Sequence, residues 1–173
     1  LALRLRGLRV TTFARERKPA PNAALVEELG ATYVSVQDAS ITEVARKEDG
    51  YDLIFEATGV SAVAFESMRA VAKNGVLVLA SVTGGDHKLE VPADRINLEF
   101  VLGNKLMLGT VNASKENFES GVRDLVEAQA MHPGWLDKLL TNPVHGLENY
   151  EQLYQALTTA KGVIKAFCVV SED

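Results

Sequence analysis

Short apolar, β-branched runs alternate along the chain with segments whose apolar positions recur at helical spacing. The first residues read as the last turns of a helix, stopped by Gly7, and residues 8–14 as a strand. Asn22 then caps a helix with Leu25, Val26 and Leu29 on one face, ended by Gly30. A strand over 32–36 and a short helix over 40–47 follow. Residues 51–57 read as a strand running into Thr58-Gly59, and Ser61 caps a helix with Phe65, Met68 and Ala72 inward. Residues 75–81 form a continuous apolar run, the kind buried on both faces of a parallel sheet.

The alternation continues beyond a polar loop, Thr83-Gly84-Gly85-Asp86-His87-Lys88. A helix over 94–103 and a strand over 105–111 lead to Ser114. That serine caps a long helix with Phe118, Val122, Leu125 and Val126 on one face. A strand over 139–144, ended or held at an edge by Pro143, precedes a helix marked by Tyr150, Leu153, Tyr154 and Leu157. Residues 164–170 close the pattern as a strand. Strands alternating with helices predict right-handed crossovers and an α/β, doubly wound, mainly parallel sheet.

Length and composition narrow this picture. At ~100–200 residues per domain, 173 residues predict a single domain over 1–173. The net charge of −5 carries no cationic surplus, so neither nucleic acid nor a membrane surface is the expected partner. The longest apolar runs, 76–80 and 166–170, fall far short of the ~20 residues that span a bilayer. One cysteine, Cys168, excludes an internal disulfide and any zinc site with two cysteines of this chain. A soluble, reduced, cytoplasmic protein is expected. His87, His132 and His145 lack metal-ligand spacing to one another or to the cysteine, so this chain is expected to ligate no metal. Cys168 and Trp135 read as packing residues.

In a doubly wound sheet, ligands sit beyond the carboxyl ends of the strands. The strand ending at Ala14 runs into Arg15-Glu16-Arg17-Lys18 without the acidic residue that would take a ribose 2′-hydroxyl. Guanidinium forks suit a 2′-phosphate; a solvated charged loop is another reading, and Glu16 could neutralise the arginines or itself take a ribose hydroxyl. Thr58-Gly59 is either a plain turn or a site of close backbone approach. Ser81-Val82-Thr83-Gly84-Gly85 is either a surface loop or a wall for a nicotinamide. Asn112, after the strand over 105–111, is either a plain turn residue or, by its strand-end position, the best single polar candidate, with an amide that both donates and accepts. No G-x-G-x-x-G, nucleophile elbow or Walker motif occurs. The strand and glycine loop that open a dinucleotide fold are therefore expected to precede Leu1.

Three motifs, Glu28-Leu29-Gly30-Ala31-Thr32-Tyr33-Val34, Asp52-Leu53-Ile54-Phe55-Glu56-Ala57-Thr58-Gly59 and Asn74-Gly75-Val76-Leu77-Val78-Leu79, resemble the cofactor half of zinc-dependent medium-chain dehydrogenases. Glu99-Phe100-Val101-Leu102-Gly103-Asn104-Lys105 with Leu108-Gly109-Thr110-Val111-Asn112-Ala113-Ser114 is similar to the C-terminal domain of archaeal-type glucose 1-dehydrogenases. The resemblance implies a Rossmann-type domain. It also implies oxidation of the C1 hydroxyl of an aldose such as glucose to a lactone, with hydride transfer to NADP or NAD. Zinc and its ligands, and the catalytic residues, would lie in an N-terminal domain absent from this sequence. By the same resemblance Ala14, Arg15, Arg17 and Lys18 match the 2′-phosphate loop, with Glu16 a departure where relatives carry arginine. Thr58, Val82 and Thr83 match the nicotinamide and its ribose. Val111 and Asn112 match the meeting point of cofactor and sugar, with Asn112 also toward substrate. Lys165 matches a basic position near the pyrophosphate. The resemblance also implies a homo-oligomer, dimer or tetramer, pairing through the strand over 105–111. Other readings are a non-catalytic nucleotide-binding or structural fragment and a metal-free quinone reductase.

Overall fold

A computed structural model describes residues 1–160 and 162–170. In chain order the elements are α1 (Ala2–Leu5), β1 (Thr11–Ala14), α2 (Pro21–Glu28), β2 (Thr32–Ser35), α3 (Ile41–Ala45), β3 (Tyr51–Glu56), α4 (Ser61–Ala70) and β4 (Val71–Leu79). They continue with α5 (Ala93–Leu102), β5 (Leu106–Gly109), α6 (Lys115–Met131), a 3-10 turn (Leu136–Leu139), β6 (Asn142–His145), a second 3-10 turn (Leu147–Asn149), α7 (Tyr150–Thr158) and β7 (Ala166–Val169). These residues form two compact units. One comprises Leu1–Val34 with the described residues from Ser114 onward, and the other comprises 35–113.

The alternation of strands and helices predicted from the sequence is present throughout. The strands form three ladders: β1-β2, β3-β4-β5 and β6-β7. The pairs β3-β4, β4-β5 and β6-β7 are parallel, as helical crossovers require. Among the described residues no ladder joins β1 to β3.

In the 35–113 unit, Val76–Leu79 run in register with Leu53–Glu56 and with Leu106–Gly109. Leu77 is fully buried at the centre, packed with Met68 and Val71 and flanked by Ile54, Phe65 and Phe100. The register breaks between Tyr51, opposite Val71, and Leu53, opposite Val76. Asn74, at φ +59°, turns the chain within that bulge. Gly50 makes the bulge possible: at φ +93°, a Cβ there would stand 2.8 Å from the backbone N and Cα of Ala72.

The other unit is built on Leu25, Leu29 and Trp135. The buried Trp135 indole N–H donates to the Leu25 carbonyl at 2.9 Å, the partner a buried indole needs. Helix α1 ends as Gly7 predicts. The Gly7 N–H bonds the Arg4 carbonyl at 2.8 Å and the Leu8 N–H bonds that of Leu3 at 3.1 Å, with Gly7 at φ +75°. This is a Schellman stop. Arg6 then joins α1 to α6 through Asp124 at 2.9 Å.

Several boundaries differ from the sequence reading. Helix α2 starts at Pro21 after Ala20, and Asn22 lies inside it rather than capping it. Proline's fixed φ suits a first helical position. Val60 occupies the cap of α4 and Ser61 its first turn. Helix α4 stops at Ala70 because Val71 leaves it to pair with Tyr51, so Ala72 is strand, not helix. Leu139 belongs to the 3-10 turn, not to β6. Ser40 and Ser114 do cap α3 and α6, with Ser40 and Glu43 forming a reciprocal capping box. The apolar face of α6 is present, but Phe118, Val122, Leu125 and Val126 are exposed. Trp135 is core, whereas Cys168 is half-buried in β7. Among the described residues no helix is long and apolar enough to cross a membrane.

Candidate functional site

Three parallel neighbours, β3, β4 and β5, end at the same edge of their sheet. Thr58 follows β3, Val82 and Thr83 follow β4, and Val111 and Asn112 follow β5. Five of the site residues read from the sequence therefore share one strand-end edge. Backbone hydrogen bonds tie that edge together. The Ala80 N–H bonds the Glu56 carbonyl at 2.9 Å, and the Thr110 N–H bonds the Leu79 carbonyl at 2.9 Å.

The loop after β3 is held by a residue that sequence reasoning did not single out. Glu56 is buried and aims its carboxylate at Thr58, accepting the backbone N–H at 2.6 Å and the hydroxyl at 2.5 Å. The Thr58 hydroxyl oxygen in turn accepts the Val60 N–H at 3.1 Å. That hydroxyl is thus used within the chain, and its local work is to shape the turn. The signal was in the sequence: an acidic residue closing an apolar strand directly before Ala57-Thr58-Gly59. Gly59, at φ +69°, packs closely on the β4 loop, where a Cβ would meet Ser81 Oγ at 3.1 Å. The Thr83 hydroxyl donates to the Gly59 carbonyl at 3.2 Å, joining the two loops.

Val82 and Val111 are 84% and 74% exposed at this edge, as open as any aliphatic side chain in the structure. Asn112 adopts φ +64°, a left-handed conformation that asparagine tolerates better than most side chains. Two open apolar surfaces beside hydroxyl and amide groups suit a flat heteroaromatic ring with polar substituents.

In the other unit, Ala14 ends β1, and Arg15, Arg17 and Lys18 follow on an exposed loop. The loop is fixed from below. Tyr33, buried in β2, donates its hydroxyl to the Glu16 carbonyl at 2.8 Å. Burial, and then the nearby Glu16 charge, push the Tyr33 phenol above its ordinary value. Lys18 is ion-paired with Glu27, which lessens its availability to a ligand. The donor set on this loop, two guanidinium forks and an ammonium, fits a phosphoryl group. Lys165 lies in the same unit, exposed before β7 and away in sequence from that loop. Its backbone N–H and carbonyl both meet the Thr141 hydroxyl.

Among the described residues no three His, Cys, Asp or Glu side chains converge on a common point. His132 caps the end of α6 and His145 closes β6.

Comparison with known proteins gives these halves a context. The family model described as glucose dehydrogenase C-terminus matches residues 1–169. The chain is similar to glucose 1-dehydrogenase 1 of Haloterrigena turkmenica, 37% identical over 84% of this chain and 39% of that one. It is similar to glucose 1-dehydrogenase 1 of Caldivirga maquilingensis, 38% identical over 89% of this chain and 42% of that one. Among solved structures it resembles Haloferax mediterranei glucose dehydrogenase in complex with NADP, zinc and gluconolactone. There the TM-score is 0.83 at 31% identity, covering 95% of this chain and 44% of that one. The chain spans less than half the length of these relatives.

Proposed function

We propose that this chain, which belongs to the glucose dehydrogenase C-terminus family, acts over 1–173 as one dinucleotide-binding domain of an NAD(P)-dependent aldose 1-dehydrogenase. The observation that carries the reading is the shared edge of β3, β4 and β5, which collects Thr58, Thr83 and Asn112 with two open valines. NADP is the favoured cofactor, with Arg15 and Arg17 on its 2′-phosphate and Lys18 contributing less because of Glu27. Val82 and Thr83 bound the nicotinamide face, and Thr58 keeps the loop beside it in shape through Glu56. Val111 and Asn112 meet both cofactor and sugar, and Asn112 orients an aldose such as glucose by its amide. Lys165 serves the pyrophosphate.

When bound, the nicotinamide supplies the acceptor for the hydride that leaves sugar C1 as the lactone forms. The chain's own part is binding and orientation. Zinc and the groups that move the hydroxyl proton are assigned to polypeptide outside this chain. The assembly in this reading is a cytoplasmic homo-oligomer. Support comes from β5, which pairs with β4 on one side and leaves Leu106, Met107 and Leu108 exposed.

Calorimetric titration of the chain with NADPH and with NADH tests the reading. Saturable binding with NADPH preferred is the expected result. No heat with either cofactor would replace it with a non-catalytic module.

A further inference from the structure

The amino ends of β3, β4 and β5 lie at the sheet edge opposite Thr58 and Asn112. A cavity of about 550 Å³ opens there, within the 35–113 unit. That volume is in the ~300–1,000 Å³ range of small-molecule sites. Its lining holds five cations, Arg46, Arg69, Lys73, Arg95 and Lys105, against two carboxylates, Asp49 and Glu99. In a chain with net charge −5, this is a local reversal of sign.

The carboxylates do not balance the cations. Glu99 is shared between Arg95 at 2.7 Å and Lys105 at 4.0 Å. Lys105 is the costly member, with a side chain only 8% exposed and its ammonium 5.9 Å from the Phe100 ring centroid. Arg69 carries a buried Nε with no hydrogen-bond partner among the described residues. A buried donor left unsatisfied is unfavourable unless a ligand or water completes it. Arg46 and Arg69 also stand at the C-terminal ends of α3 and α4, where cations are favoured by the helix dipole. That explains two of the five, and leaves Lys73, Arg95 and the buried Lys105 converging on the same space.

We propose that this cavity is a second anion site, which takes a small, multiply charged phosphorylated metabolite. Three guanidinium forks match phosphoryl oxygens, and two ammonium groups add point charge. A lone inorganic phosphate would fill little of the volume. The inference stands apart from the cofactor reading, since its residues lie at the other ends of the strands.

Titration calorimetry of the full chain with fructose 1,6-bisphosphate tests it, with inorganic phosphate and citrate as comparison ligands. Arg46 and Lys73 are exposed, so the Arg46→Ala/Lys73→Ala double variant leaves the core intact, which circular dichroism verifies. Saturable bisphosphate binding is expected, at least tenfold weaker in that variant and unchanged in Arg15→Ala/Arg17→Ala. Phosphate and citrate should each bind at least tenfold more weakly. Absence of saturable binding overturns the site, as does an equal or larger loss in the Arg15/Arg17 variant. Citrate or phosphate binding as tightly as the bisphosphate overturns the assigned ligand class.

Discussion

The Glu56 carboxylate receives both the backbone N–H and the hydroxyl of Thr58, at 2.6 and 2.5 Å. A buried acid is thereby committed to shaping the loop at the end of β3. Glu56→Ala leaves both Thr58 donors without that acceptor, which should cost about 1–3 kcal/mol of stability. Glu56→Gln keeps one acceptor oxygen and should cost less. Urea denaturation of the two variants checks the order, and NADPH titration should show binding weakened more in Glu56→Ala, whose loop is displaced, than in Glu56→Gln.

Trp135 joins Leu25 by packing and by its indole N–H. Trp135→Phe keeps most of the apolar volume and loses the hydrogen bond, an expected loss of about 1 kcal/mol. Trp135→Ala adds a cavity and should cost about 3–5 kcal/mol. Thermal denaturation of both variants measures the difference.

The pattern of strands was legible because residues 53–55, 76–79 and 106–108 are apolar runs that pair in register, although only β4 among them buries a residue completely, Leu77. The end of α4 was not legible. Ala72 fits the helical period locally, and only the pairing of Val71 with Tyr51 removes it from the helix. Nor does the period of Phe118, Val122 and Val126 reveal that their face is exposed, since periodicity reports a face and not its cover. The strand-end residues Thr58, Thr83 and Asn112 were legible from position alone. Glu56 was passed over because its role depends on burial, and a carboxylate next to a turn is ordinarily solvated.

Gly50 approaches the backbone of Ala72 too closely for any side chain. Gly50→Ala combines that clash with an unfavourable positive φ, and should destabilise the chain by about 2 kcal/mol or more. Amide hydrogen exchange should show the loss first in β3 and β4.

Ser40 and Glu43 cap α3 reciprocally. The Ser40 N–H and hydroxyl, both donated to Glu43, hold its carboxyl below the ordinary carboxylate value. A carboxyl lowered on folding stabilises the fold above its unfolded-state value, and that contribution is lost as pH falls through the lower, folded one. Ser40→Ala should therefore lower stability at neutral pH, and less so in acid, once Glu43 is protonated. Denaturation of both proteins at neutral pH and below the ordinary carboxylate range measures the difference.

The central claim is that β1 delivers Arg15 and Arg17 to the 2′-phosphate of NADP. Cofactor dissociation constants of Arg15→Ala/Arg17→Ala, measured in the protein that carries this chain, test it most directly. Charge-assisted hydrogen bonds are worth about 1.5–3 kcal/mol each, so NADPH affinity should fall at least about tenfold. NADH affinity should change little. Equal losses for the two cofactors, or none for NADPH, would contradict the account.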